Sequence, residues 1–143
     1  MEKYEMKEKV LLTGISGFIG LHCAKELLQA GYRVCGTVRS KAKEKIVRDT
    51  LTQSEVGIKK LEFAVVDLTS DKGWSKAIEN CDYVMHVASP FSVTNPKNDA
   101  EMIVPALEGT KRIMRLAQKA KIKRIVLTSS IVSMMCSIRN GQF

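Results

Sequence analysis

The 143-residue sequence predicts an α/β domain, a doubly wound parallel sheet of five strands in βαβαβαβαβ order. Three observations predict it. Short apolar runs alternate with longer stretches of helical periodicity. The runs are apolar throughout, as suits parallel strands with helices on both faces. A turn carrying three glycines, from Thr13 to Gly20 (TGISGFIG), joins the first strand directly to the first helix.

Val10 to Thr13 is the first strand, closed by glycine. Phe18 to Ala30 then places apolar residues at Ile19, Cys23, Leu27 and Ala30, one face of a helix. Gly31 ends it, because glycine takes left-handed backbone at a helix C-terminus without steric cost. Arg33 to Val38 is the second strand, and Lys41 to Leu51 a helix with Ile46, Val47 and Leu51 inward. Leu61 to Val66 is the third strand, ending at Asp67. Thr69, Ser70 and Asp71 offer N-cap chemistry for a short helix through Trp74 and Ile78. Tyr83 to Val87 is the fourth strand. A polar loop through Pro90 and Pro96 leads to a long helix, about Ala100 to Lys119, burying Ile103, Leu107, Met114 and Ala117. Arg124 to Thr128 is the fifth strand. Sheets of this kind usually continue for at least one more strand, and the tail after Ser130 (IVSMMCSIRNGQF) is short for a further helix and strand. The expectation is one incomplete domain over residues 1–143.

Composition narrows the class. The chain is 45% hydrophobic and 27% charged, the balance of a soluble globular protein. Cys23, Cys35, Cys81 and Cys136 lie far apart, with no CxxC pair and no histidine cluster. That pattern is neither a disulfide framework nor a zinc or other metal site, and it predicts reduced thiols in a cytoplasmic protein. The charged start, MEKYEMKEK, lacks the apolar stretch of a signal peptide. No run approaches the roughly 20 apolar residues of a membrane span. The net charge of +8 gathers in two places, Arg39 to Arg48 and Lys111 to Arg124. Without aromatic interleaving or a nucleic-acid motif, the second cluster reads as a solvated helix face and predicts no nucleic-acid partner.

In the glycine turn the spacing is GxxGxxG, at Gly14, Gly17 and Gly20. Such glycines allow a tight turn, close approach of backbone to phosphate, and close packing of helix on strand. The helix N-terminus presents free N–H groups and partial positive charge. The turn therefore predicts a Rossmann-type dinucleotide site, with Gly14, Ser16, Gly17, Phe18, Ile19 and Gly20 around the pyrophosphate.

The sequence also resembles the extended short-chain dehydrogenase/reductases of the NAD-dependent epimerase/dehydratase superfamily. Within them it is similar to the dihydroflavonol reductase and cinnamoyl-CoA reductase branch. The resemblance rests on six motifs in order: TGxxGFIG, Thr37-Val38-Arg39, Asp67-Leu68, His86 to Pro90 (HVASP), Pro105 to Thr110 (PALEGT) and Val126 to Ser130 (VLTSS). It implies that Asp67 and Leu68 sit beside the adenine, although Asp67 is equally well a turn or cap residue. It implies that Val87, Ala88 and Ser89 line the path of the phosphate and nicotinamide ribose, with Thr128 and Ser129 bordering the cofactor. His86 is read as a packed core histidine without a proton-transfer role.

Arg39 stands where an acidic residue would favour NAD(H). A guanidinium cannot accept from a ribose hydroxyl but forms paired bonds to a 2′-phosphate. With Lys43 and Lys45 adding charge nearby, the prediction is NADP(H) in preference to NAD(H), and Lys45 joins Arg39 as a candidate phosphate ligand.

The resemblance implies hydride transfer between nicotinamide and a small-molecule carbonyl, with Ser130 hydrogen-bonding the carbonyl oxygen. The family's proton donor is a tyrosine with a lysine four residues on. Tyr4, Tyr32 and Tyr83 are followed at that spacing by Glu8, Gly36 and Val87. The chain alone is thus expected to be inactive. Three other readings stay open: a non-catalytic sensor or scaffold, a sugar-nucleotide epimerase or dehydratase, and a 3β-hydroxysteroid dehydrogenase relative. An uncovered apolar sheet edge after the fifth strand predicts dimerisation, aggregation or marginal stability.

Overall fold

The computed structural model describes residues 8–90 and 97–131. Pro96, Cys136 and the tail beyond Ile131 lie outside the described residues. Five strands, β1 (Lys9–Thr13), β2 (Arg33–Val38), β3 (Leu61–Val65), β4 (Tyr83–His86) and β5 (Arg124–Leu127), form one sheet. Its order is β3-β2-β1-β4-β5, with every neighbouring pair parallel. Between the strands run α1 (Phe18–Gln29), α2 (Lys41–Gln53), α3 (Trp74–Ala77) and α4 (Ala100–Lys119).

The order reverses at β1. From there the chain steps outward to β2 and β3, then returns to β4 on the other side of β1. Connections leaving β1 and β4 in opposite directions open a crevice at the carboxyl ends of those strands. The fold thus creates a cleft before any side chain is considered.

Alternation along each strand divides the core into two layers. Leu12, Val34, Val38 and Leu61 face α1 and α2, where Ala24, Leu28, Val47 and Leu51 meet them. Leu11, Cys35 and Val84 face α3 and α4, against Trp74, Ala77, Ile113 and Ala117.

Local chemistry sets the helix ends. Gly31 takes φ 90°, its N–H donates to the Leu28 carbonyl, and the Tyr32 N–H donates to Leu27. This pair of bonds closes α1 as a Schellman turn. The Ser40 hydroxyl accepts from the Lys43 N–H and opens α2.

The helices occupy their expected spans, but several present different faces. In α1 the buried residues are Gly20, Ala24 and Leu28; Ile19 and Ala30 are exposed, and Cys23 and Leu27 only half-buried. In α2, Val47 and Leu51 point inward as expected, but Ile46 is exposed. In α4 the buried line is Gly109, Ile113 and Ala117, while Ile103 is 58% exposed, Leu107 also exposed and Met114 half-buried. In α1 and α4 the buried line runs from a glycine, Gly20 or Gly109, where an added Cβ would crowd the chain beneath, so the residues stacked one turn apart on that side face inward. In α2 Ile46 simply lies 100° round the helix from the buried Val47. The cap of α3 also differs. Gly73 holds it at φ 85°, whereas the Ser70 hydroxyl accepts from the Lys72 N–H and Asp71 pairs with Arg112. Finally β5, an edge strand, is only partly covered, with Val126 and Leu127 exposed. Among the described residues no helix is long and apolar enough to cross a membrane.

Candidate functional site: the cleft at the carboxyl ends of β1 and β4

A cleft of about 500 Å³ opens where the strand order reverses. Gly14, Ser16 and Gly17, with Phe18, Ile19 and Gly20 of the first turn of α1, form one wall. Thr37, Val38 and Arg39 close the end beside β2, and Val66 to Thr69 with Trp74 form the wall after β3. Val87 to Pro90 line the side that continues β4.

The three glycines do different things. Gly14 has φ 73°, and a Cβ added there would lie 2.9 Å from the Ala88 Cα. A Cβ on Gly20 would lie 2.1 Å from the Gly14 carbonyl oxygen, so α1 can start here only from a glycine. Gly17 is different. A Cβ there would meet only the Gly14 oxygen, at 3.5 Å, an ordinary contact. The protein's own packing requires two of the three glycines and leaves the third bare toward the cleft. Gly17 also caps α1 with no side-chain hydrogen bond. The first N–H groups of a helix have no intrahelical acceptor, so they and the positive end of the helix dipole are available to an anion.

Behind the glycine turn is a buried polar knot. The Thr13 side chain accepts from the Val87 and Ala88 N–H groups, both at 3.1 Å, which uses its two lone pairs. Its single proton is left for His86 Nδ1, at 2.7 Å. His86 is therefore neutral, with its own proton on Nε2. The knot ties β1 to the chain after β4, on the cleft side. Thr37 adds a further bond, its hydroxyl accepting from the Gly14 N–H at 3.3 Å.

Burial pushes the His86 pKa below its ordinary value. The unfolded chain then takes up a proton near pH 6.5, where the folded chain does not. Stability is unaffected by this group above that pH. It falls as pH drops below it, by up to about 1.4 kcal/mol per pH unit, until the folded state also protonates. Urea midpoints measured from pH 8 to 5 should show this slope in the wild type and lose it in His86→Gln. Parallel curves for the two proteins would contradict the burial argument.

Asp67 is both a turn residue and a cleft residue. Its Oδ1 accepts from the Thr69 N–H and hydroxyl, each at 2.7 Å, and these bonds hold its carboxyl below the usual range, with Arg39 and Arg112 adding to the effect. The Asp67 carbonyl accepts from Trp74 Nε1 at 2.8 Å. Leu68 is buried behind it.

Four predicted residues stand elsewhere. Lys45 is on the outer side of α2, paired with Asp49 at 2.9 Å, and does not line the cleft. Thr128 and Ser129 lie past the end of β5, outside the cleft wall, although the Thr128 N–H donates to the His86 carbonyl. Ser130 is exposed just beyond them. Sequence reasoning missed Thr13, Thr69 and Trp74 as parts of the site. A threonine ending a buried strand immediately before the glycines was a usable signal for the first; the others depend on contacts no local pattern reveals. Among the described residues no cluster of three His, Cys, Asp or Glu side chains could hold a metal ion.

Comparison with known proteins agrees with this geometry. The chain is 44% identical over 128 residues to an uncharacterized oxidoreductase of Schizosaccharomyces pombe, covering 87% of this chain and 37% of that protein. It is 37% identical over 138 residues to a (2S)-flavan-3-ol-forming anthocyanidin reductase of Vitis vinifera, covering 94% of this chain and 40% of the relative. Among solved structures, Gre2 of Candida albicans in complex with NADPH superimposes with a TM-score of 0.74 at 30% identity, over 87% of this chain and 37% of the other. The chain thus spans well under half the length of these relatives. The model of the NAD dependent epimerase/dehydratase family matches residues 10–137, so the fold, the glycine turn and the match along most of the chain place this protein in that family.

Proposed function

We propose that these residues form the NADP(H)-binding part of a reductase that passes hydride between NADPH and the carbonyl group of a small molecule, of the dihydroflavonol and anthocyanidin reductase kind. The observation that carries the choice of cofactor is Arg39, exposed at the end of β2 and lining the cleft where an acidic side chain would receive a ribose diol. Its guanidinium has the shape and charge for a 2′-phosphate. Lys45, occupied with Asp49, is not needed for that role.

The residues present fit a dinucleotide. Gly17 leaves a bare approach to the helix N-terminus for the pyrophosphate, and Asp67 with Leu68 can flank the adenine. Val87, Ala88 and Ser89 lead toward the nicotinamide end. The nicotinamide, when bound, supplies or accepts the hydride. Ser130 follows β5, the strand beside β4, and is our choice for the hydroxyl that steadies the carbonyl oxygen as charge develops.

A tyrosine with a lysine four residues on, the proton donor that the family resemblance implies, does not occur within these 143 residues. Tyr32 precedes β2 and Tyr83 opens β4, both at the amino ends of the strands, opposite the cleft. The Tyr83 hydroxyl is already engaged with Glu8 at 2.6 Å. Tyr4 has Glu8 rather than lysine four residues on. A tyrosine-dependent reduction therefore needs residues from elsewhere in the working enzyme.

The test is selective binding. Replacing Arg39 with alanine should weaken NADPH by roughly ten- to a hundred-fold, the scale of a lost charge-assisted contact, and NADH far less. Titration calorimetry on both proteins with both nucleotides measures it. Equal losses for the two would sink the phosphate assignment.

A further inference from the structure

We propose that Arg112, a residue of α4 that does not line the cleft, is a positioning residue for it: its guanidinium fixes the Asp67–Thr69 wall and thereby sets affinity for an adenine-bearing ligand. The inference rests on the nucleotide reading of the cleft given above.

Arg112 Nη1 donates to the Leu68 carbonyl oxygen, and its Nε donates to the Asp71 carboxylate. One planar group thus brackets the turn after β3, holding a residue on each side. The helix comes close enough because residue 109, almost one turn earlier, is glycine. A Cβ there would lie 3.3 Å from the Leu68 Cβ, tighter than ordinary packing. Trp74 holds the same segment from α3 through the Asp67 carbonyl. Two consecutive carbonyls, Asp67 and Leu68, are each tied by a side chain from a different helix. With both fixed, the peptide planes are fixed, and with them the direction of the Asp67 carboxylate.

Magnitudes favour a positioning role over a stabilising one. The Arg112 side chain is only 18% exposed, but Asp71 is 89% exposed. An ion pair with one partner in open water adds little to stability. The bond to Leu68 is different, because a backbone carbonyl deprived of its partner must find water or turn. Turning it moves the cleft wall. Lysine could keep the charge but not the fixed fork that serves two acceptors at once. Arg112 belongs to the basic stretch that reads in sequence as a solvated face; its contacts separate it from its neighbour Lys111, which pairs with Glu108 on the helix surface.

The experiment compares the wild type with Arg112→Ala, Arg112→Lys and a control, Leu116→Ala. Leu116 lies on the same helix and packs on the same core, with no part in the turn. NADPH and adenosine 2′,5′-bisphosphate are titrated against each protein, thermal midpoints are recorded, and amide exchange is followed at Thr69 and Ser70, whose N–H groups bond to Asp67. Arg112→Ala should weaken both ligands by the same factor, roughly ten-fold, as loss of outer supporting contacts does at other sites. Its Thr69 and Ser70 amides should exchange faster, and the lysine variant should fall between. Leu116→Ala should lower the thermal midpoint yet leave both affinities within about two-fold, as expected for separate sites. Wild-type affinity in Arg112→Ala, or losses that track stability equally in both alanine variants, would overturn the proposal. A wild-type chain that binds neither ligand would instead overturn the nucleotide reading, and the role in affinity would fall with it; exchange at Thr69 and Ser70 would then report the clamp separately.

Discussion

Replacing Gly20 with alanine should cost about 3 kcal/mol or more, at or above the top of the usual range for overpacking. The added methyl would lie 2.1 Å from the Gly14 oxygen, 2.8 Å from its carbonyl carbon and 2.9 Å from the Ile15 Cα. All three are backbone atoms, so no side chain can rotate away. The helix would have to lift from the turn, and Ala24 and Leu28, buried on the same face, would lift with it. A domain of this size has roughly 5–15 kcal/mol in total, so a substantial part of its stability is at stake. Gly17→Ala is the informative partner. Its methyl meets one atom at an ordinary distance, so stability should change by no more than about 1 kcal/mol, the scale of a cap substitution. Nucleotide affinity should nevertheless fall sharply, because the methyl occupies the approach to the helix N-terminus. Urea unfolding and NADPH titration on both variants separate the two roles. A Gly17→Ala protein that binds NADPH normally would remove the main physical support for a phosphate at this turn.

The contrast between these glycines also shows what the sequence could reveal. The glycine turn and Arg39 were legible because each lies within one strand–turn–helix unit, where spacing alone carries the geometry. Helix positions were legible from periodicity, but their faces were not. In α1 the eye goes to Ile19, Cys23 and Leu27, yet the buried line is one residue further on, at Gly20, Ala24 and Leu28. In α4 Ala117 is buried as expected, but the rest of the buried line is Gly109 and Ile113. Hydrophobicity points to bulk, whereas each of these lines is set by one glycine, Gly20 or Gly109, that lets the helix come close. Long-range pairings were the least legible. Thr13 and His86 meet only through the register of β1 and β4, and Arg112 meets Leu68 only because α4 returns over the end of β3. Nothing within a dozen residues of either predicts its partner. Lys45 failed for a simpler reason: a helix turns its residues by 100°, and closeness in sequence to Arg39 does not place a side chain on the same side.

Trp74→Ala should be the second most damaging substitution, and it should damage the cleft as well as the core. The indole is 2% exposed, and its ring fills the layer between the sheet and α3, beside Val66, Ala77 and Ile113. Loss of that volume costs about 3–5 kcal/mol at buried tryptophans. The α3 helix has only four residues, too few to keep its place without the ring. The indole N–H adds a second effect, because it holds the Asp67 carbonyl at the cleft wall. Trp74→Phe separates the two. It keeps most of the bulk and removes the donor, and the Asp67 carbonyl retains the Ser70 N–H at 3.2 Å. The phenylalanine variant should therefore lose only about 1 kcal/mol for the missing bond, with a further penalty for imperfect packing. Its NADPH affinity should fall by more than that small loss of stability accounts for, since the wall is released on one side. Denaturant midpoints and nucleotide titration on both variants decide the matter. If Trp74→Phe binds NADPH as the wild type does, Trp74 supports the core alone, and Asp67 is held in place by its bonds to Thr69 and Ser70 without help from the indole.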